Sequence, residues 1–240
     1  MAQQPSPPES PATVTLKRFT DRIQLQSAVE ARLQQVLAGP GVKQPAVMLS
    51  GGSTPIPAYL ELARRHLTPV PGLTLLFSDD RYVPSDSADS NYHQSRPLFD
   101  SLGLPAGQVL RIRTELPLAE ATADSEQRLS ELLSGGGRIA LGLLGLGADG
   151  HTCSLFSAAD LERARGKLAI SVHRPDGRDA VSVTPTVLQR VDQLLFVVAG
   201  TDKRAALDRL LRREDGLTAW DAVRGCKAVE VWADAAALIA

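Results

Sequence analysis

The chain has 240 residues, 43% of them hydrophobic and 22% charged, a length that suits one large domain or two small ones and leaves ample material for a core. Lys and Arg total 26 against 27 Asp and Glu, a formal charge of −1, so no long-range field draws a polyanion. Aromatics at only 4% offer few stacking platforms for single strands, which argues against nucleic acid as a partner and leaves any bound anion to a local site.

The chain opens with MAQQPSPPESPA, which holds four prolines and no apolar stretch of signal-peptide type, so residues 1–12 are expected to be a disordered tail and 13–240 a single α/β domain. Short apolar runs then follow at 46–50, 73–78, 139–146, 168–173, 180–184, 194–200 and 229–233, each predicted to be a strand. Segments of helical period separate them, and the strands read as continuous apolar runs. Both features predict an open, mainly parallel twisted sheet with helices on both faces. Ile56, Tyr59, Leu60, Ala63 and Leu67 form one apolar helical stripe, with Ser53 or Thr54 as the expected cap and Pro55 in the first turn. Ser134–Arg138 reads as a turn before a strand. A later helix is expected after Gly200, capped by Thr201, with Ala206, Leu207, Leu210 and Leu211 buried and its arginines solvated. No run approaches the ~18 apolar residues of a membrane span. The two cysteines, Cys153 and Cys226, have neither disulfide-framework nor zinc spacing, so a reducing cytoplasm is the expected compartment.

Four segments at strand ends carry residues suited to chemistry. Ser50-Gly51-Gly52-Ser53-Thr54-Pro55 lies between a strand and a helix, where exposed backbone N–H groups and the helix dipole suit an anion, although a tight turn would need the same glycines. Gly145-Leu146-Gly147-Ala148-Asp149-Gly150-His151 matches G-x-G-x-x-G, but the acidic residue that confirms a dinucleotide site is replaced by His173-Arg174. An NADP site with Arg174 on the 2′-phosphate is a minor alternative. His151 is the more informative residue, since the turn would hold it over the carboxyl edge of the sheet, where it can act in catalysis. Asp79-Asp80-Arg81 is either a surface ion-pair cluster or an arginine placed to clamp a phosphate or an oxyanion. Lys203, in a first helical turn where the dipole repels cations, is either solvated or an anion's partner. His66, near a helix end, reads as a partner of the C-terminal dipole, while His93 and His173 lack companions at metal spacing, and no metal is expected. Cys153 is too near His151 in sequence for a nucleophilic pair, and G-x-S-x-G is absent.

Taken together, LSGGSTP (49–55), SDDRYVP (78–84), DSNY (89–92) and LGLGADGHTCSLF (144–156) resemble the motifs of the 6-phosphogluconolactonase family, in the same order and over most of the chain. The resemblance implies hydrolysis of 6-phosphoglucono-1,5-lactone in the oxidative pentose phosphate pathway, with no cofactor. It also implies the open sheet shared with glucosamine-6-phosphate deaminases and ribose-5-phosphate isomerases. His151, Arg81 and Asp149 would be catalytic, and Gly51, Gly52, Ser53, Thr54, Asp80, Gly150 and Lys203 would bind substrate. The expected partner is a small sugar phosphate, and the expected assembly a monomer or weak homo-oligomer. Two departures stand out. Ser157 replaces the proline that usually follows Ser-Leu-Phe, and Ala180 stands where the family has a substrate-holding arginine, with Arg174 or Arg178 as substitutes from the preceding loop. An amino-sugar phosphate deaminase would continue its histidine motif toward Asn-Glu-Pro, whereas here Thr152-Cys153-Ser154 follows. A noncatalytic sugar-phosphate sensor on the same fold would be expected to carry an added DNA-binding segment.

Overall fold

A computed structural model describes residues 12–39 and 44–238; of the 1–12 tail expectation, residues 1–11 lie outside the described residues, while Ala12 is buried and donates its N–H to the Arg224 carbonyl at 3.1 Å, so the domain begins one residue earlier than expected. Its strands are β1 (Thr13–Phe19), β2 (Pro45–Leu49), β3 (Thr74–Phe77), β4 (Asp79–Arg81), β5 (Val109–Leu110), β6 (Arg138–Leu144), β7 (Ala169–His173), β8 (Asp179–Val183), β9 (Leu194–Val198) and β10 (Ala228–Asp234). Its helices are α1 (Arg22–Ala38), α2 (Pro55–Ala63), α3 (Asn91–Ser101), α4 (Leu118–Ser134), α5 (Ala158–Arg163), α6 (Pro185–Leu188), α7 (Arg204–Leu211) and α8 (Thr218–Val223).

Seven strands form one sheet in the order β1-β10-β9-β6-β2-β3-β5, with every pairing parallel. The continuous apolar runs fit this sheet because alternate residues serve opposite faces. Met48, Leu144 and Phe196 enter one core; Val47, Leu49, Leu143 and Leu195 enter the other. The second core is closed by Leu25, Val29 and Leu33 of α1, Tyr59 and Leu62 of α2, and Leu98 and Phe99 of α3. Helices α7 and α8 close the first, through Leu207, Leu210, Trp220 and Val223.

The structure corrects two expectations and adds an edge strand that the apolar runs do not mark. The runs at 168–173 and 180–184 do not join the parallel sheet: β7 and β8 pair antiparallel with each other and with β4 in a separate small sheet, whose Ile170, Val172 and Val181 pack onto the first core. Strand β1 alternates Thr, Leu, Lys and Arg with partial burial at a sheet edge, so it forms no apolar run. The expected caps hold only in part. Thr54 is the N-cap of α2 but makes no side-chain capping bond, and Thr201–Lys203 forms a 3-10 turn that puts Lys203, again without a capping bond, at the N-cap of α7. Pro55 does occupy the first turn of α2.

Successive strands step outward in opposite directions from the β2/β6 junction, β3 and β5 to one side and β9 and β10 to the other. In open α/β sheets such a reversal leaves a crevice at the carboxyl ends of the strands.

Candidate active site

Ser50 through Gly52 leave β2 at this crevice. The turn is pinned from below by Tyr59 of α2, whose buried hydroxyl donates to the Ser50 carbonyl at 2.9 Å and accepts from the Ser50 N–H at 3.2 Å. Burial pushes the Tyr59 phenol well above its ordinary range, so it serves as a neutral hydrogen-bonding group. Gly51 is obligatory by contact: a Cβ there would lie 1.9 Å from Asn91 Oδ1. Gly52 has φ +108, a conformation open to glycine.

The turn after β6 brings together two residues that are two apart in sequence. His151 Nδ1 lies 2.6 Å from Asp149 Oδ1, and the same oxygen accepts from the His151 N–H at 3.2 Å. The turn closes through the Gly147 N–H to the His151 carbonyl at 2.8 Å and the Thr152 hydroxyl to the Gly145 carbonyl at 2.8 Å. A Cβ on Gly147 would fall 2.1 Å from His151 Nδ1, so only glycine admits the pair. Burial raises the Asp149 pKa, but the hydrogen bonds and charge of His151 outweigh it and hold the carboxyl below its ordinary range. An ionised Asp149 accepting Nδ1–H leaves the neutral imidazole with its lone pair on Nε2. The His151 ring also lies 4.4 Å from that of Phe156.

Strand β4 separates its three charged residues by depth. Arg81 lines the cleft, its Nη1 donating to Asn91 Oδ1 at 2.7 Å and the Asp89 carbonyl at 3.1 Å. Asp79 and Asp80 are buried, so the surface ion-pair alternative fails. Asp80 corrects the substrate-binding expectation: it does not line the cleft but lies behind it, accepting from the Arg81, Asn91 and Tyr92 N–H groups and from the Ser90 hydroxyl at 2.7–3.1 Å. Burial pushes its carboxyl up to about 6, against those donors. The Asp79 carboxylate accepts from the Ser78 and Ser154 hydroxyls, and its carbonyl accepts from Asn91 Nδ2. Asn91, present in the DSNY stretch but given no role on sequence grounds, is thus the buried residue that aims Arg81.

The cleft has a volume of about 260 Å3 and is lined by Ser50, Gly51, Gly52, Arg81, Asn91, Gly145, Gly147, His151, Arg174 and Lys203, among others. Ser53 and Thr54 line instead an adjoining chamber of about 220 Å3, with Arg22; Gly51, Gly52 and Lys203 border both. Gly150 lines neither: it is buried at φ +89 against Leu217, so its role is the turn, not the substrate. Lys203 pairs with Asp202 at 3.2 Å. Of the two arginines offered for Ala180, Arg174 reaches the cleft, while Arg178 pairs outside it with Asp89 and Asp176. Ala180 itself is buried opposite Arg81 in the β4–β8 register. Cys153 borders the cleft, with burial pushing its thiol up, away from thiolate chemistry. Among the described residues no group of three His, Cys, Asp or Glu is placed to hold a metal. Nor is any helix there long and apolar enough to cross a membrane.

Known proteins share this chain's sequence pattern and fold. The family model for glucosamine-6-phosphate isomerases/6-phosphogluconolactonase matches residues 21–230. The 6-phosphogluconolactonase of Thermotoga maritima is 34% identical over 69% of this chain and 74% of its own, and that of Synechocystis sp. 32% over 78% of each. The solved 6-phosphogluconolactonase from Thermotoga maritima superposes with a TM-score of 0.76 over 92% of this chain and all of its own, at 26% identity. A monomeric glucosamine-6-phosphate deaminase shares the fold, with a TM-score of 0.76 at 17% identity over 93% of this chain and 98% of its own.

Proposed function

The chain belongs to the glucosamine-6-phosphate isomerase/6-phosphogluconolactonase family, and from that premise we propose that His151 is the general base of a lactone hydrolysis run in the cleft. The reaction is hydrolysis of 6-phosphoglucono-1,5-lactone to 6-phosphogluconate, as in the lactonase relatives. Neutral His151 takes a proton from water at Nε2 as the water oxygen bonds to C1. The tetrahedral oxyanion then collapses, the bond from C1 to the ring oxygen breaks, and the imidazolium returns the proton to that oxygen. Asp149 holds the tautomer and balances the imidazolium, the part a carboxylate plays beside a catalytic imidazole.

Arg81 serves the developing oxyanion, since Asn91 and the Asp89 carbonyl orient its planar head while the Gly51–Gly52 turn and Lys203 provide separate donors for the phosphate. Ser53 and Thr54 serve the same phosphate from the adjoining chamber. Remote phosphate binding then positions C1 beside His151.

The observation that carries this reading is the 2.6 Å contact between His151 Nδ1 and Asp149 in a cleft bordered by Arg81 and Lys203. It is tested by following acid release from lactone freshly generated from glucose-6-phosphate, against the spontaneous rate. Acceleration by the purified chain is expected. Ammonia release from glucosamine-6-phosphate without lactone hydrolysis would replace it with a deaminase.

A further inference from the structure

The cleft holds one more cation than this mechanism uses. Arg174 follows β7, and its side chain is only 13% exposed despite carrying a full charge. Its Nε donates to both oxygens of Asp176 at 3.2 and 3.3 Å, its Nη1 to the Ser154 hydroxyl at 3.2 Å, and its guanidinium carbon lies 5.2 Å from the centre of the Phe156 ring. These contacts fix the plane of the fork. Nη2 has no protein partner among the described residues.

The charge is only partly answered. Asp176 is shared with Arg178, whose Nη2 donates to it at 3.0 Å. Asp79, the acid that borders the cleft, accepts from two serine hydroxyls. A nearly buried guanidinium facing half a carboxylate is costly to keep until an anion arrives. The lactone is uncharged at its ring, so the phosphate is the only group of the substrate able to supply that charge. Arg81, held through Nη1 by Asn91 and the Asp89 carbonyl, is the cation assigned to the oxyanion.

We propose that Arg174 is a phosphate-binding residue, its free Nη2 edge closing on the substrate phosphate together with Lys203, and that Asp176 and Phe156 hold it in position. The proposal rests on the lactonase reading for the identity of the ligand, but not for the presence of an anion site. Planar, oriented donors favour a phosphate over a point contact.

The test is binding without turnover. Inorganic phosphate and 6-phosphogluconate are titrated by calorimetry into the full chain and its Arg174→Ala, Arg174→Lys and Arg178→Ala variants, with melting curves for each. Both dissociation constants should rise about 10–100-fold in Arg174→Ala, the worth of a charge-assisted hydrogen-bonding group. Arg174→Lys, which keeps the charge and loses the fork, should fall between, and it reads the site if the alanine variant does not fold. Arg178→Ala should bind as the wild type. In the lactone assay KM should rise in step with kcat retained. Unchanged binding of both anions in a folded Arg174 variant overturns the proposal, and so does a fall in kcat at constant KM, which would put Arg174 at the reacting carbon. Phosphate binding that depends on Arg174 in a chain that does not hydrolyse the lactone would leave this site standing and remove the lactonase reading instead.

Discussion

His151 and Asp149 divide one task between them, and each has its own signature. His151→Asn should lower kcat by about 10²–10⁴-fold, the usual worth of a general base, with KM nearly unchanged in the lactone assay. Asp149→Asn removes the negative charge that balances the imidazolium and adds an NH2 donor able to select the other tautomer, while keeping size, so kcat should fall with little change in melting temperature. Arg81→Lys keeps the charge and loses the planar head that Asn91 orients. An oxyanion donor then predicts a loss of about 10²–10³-fold in kcat, whereas a phosphate contact would show chiefly in KM. Lys203→Ala should raise KM, because a contact made equally in ground and transition states affects binding alone.

Elements matter here through the two anchors that join them. Tyr59 ties α2 to the turn after β2, so Tyr59→Phe strands a buried N–H and carbonyl of Ser50, costing about 1–3 kcal/mol by denaturant titration, and loosens the turn. Asp80 ties β4 to the start of α3, and the sign of its pH dependence follows from the carboxyl at about 6 in the folded chain against an ordinary 3.8. Between these values the native state holds more protons than the unfolded state, so this group's contribution to stability falls as pH rises through the window and is level above it. Asp80→Asn should destabilise at every pH, because an amide can accept from only one side where four donors converge. The gap between wild type and Asp80→Asn should narrow from pH 4 to pH 6, by at most about 1.4 kcal/mol per pH unit. A gap that widens over that range would show the carboxyl is not raised.

On the scale of the molecule, the β2/β6 junction gathers turns from distant parts of the chain because parallel strands all end on the same side. The small antiparallel sheet supplies Arg81 and the loop that carries Arg174 while packing on the first core, and we infer that it unfolds with the main sheet as a single domain. The two tryptophans test this directly, since Trp220 reports the first core and Trp232 the second, on opposite faces of the sheet. Single-tryptophan variants, each with the other replaced by Phe, should melt with coincident transitions that match calorimetry. Separate midpoints would divide the structure into two cooperative units.

Strand runs, the Gly-rich turns and the candidate cations were legible in the chain because each is a local feature. A buried parallel strand must be apolar on both sides, and a backbone that approaches a ligand or a ring must lack a Cβ, as Gly51 and Gly147 do. What the sequence left open was decided by partners far along the chain. The runs at 168–173 and 180–184 satisfy the same apolar pattern in either sheet, and only pairing with β4 sets them antiparallel. Asp80 and Arg81 are neighbours in sequence, yet the start of α3 draws the carboxylate inward while Asn91 aims the guanidinium at the cleft. Arg174 and Arg178 are equivalent as residues in one loop, and tertiary packing against Ser154 and Phe156 turns one toward the cleft while Asp89 draws the other away. Residue type determines which charges a chain owns; which of them face the substrate depends on desolvation and hydrogen-bond partners that exist only once the chain has folded.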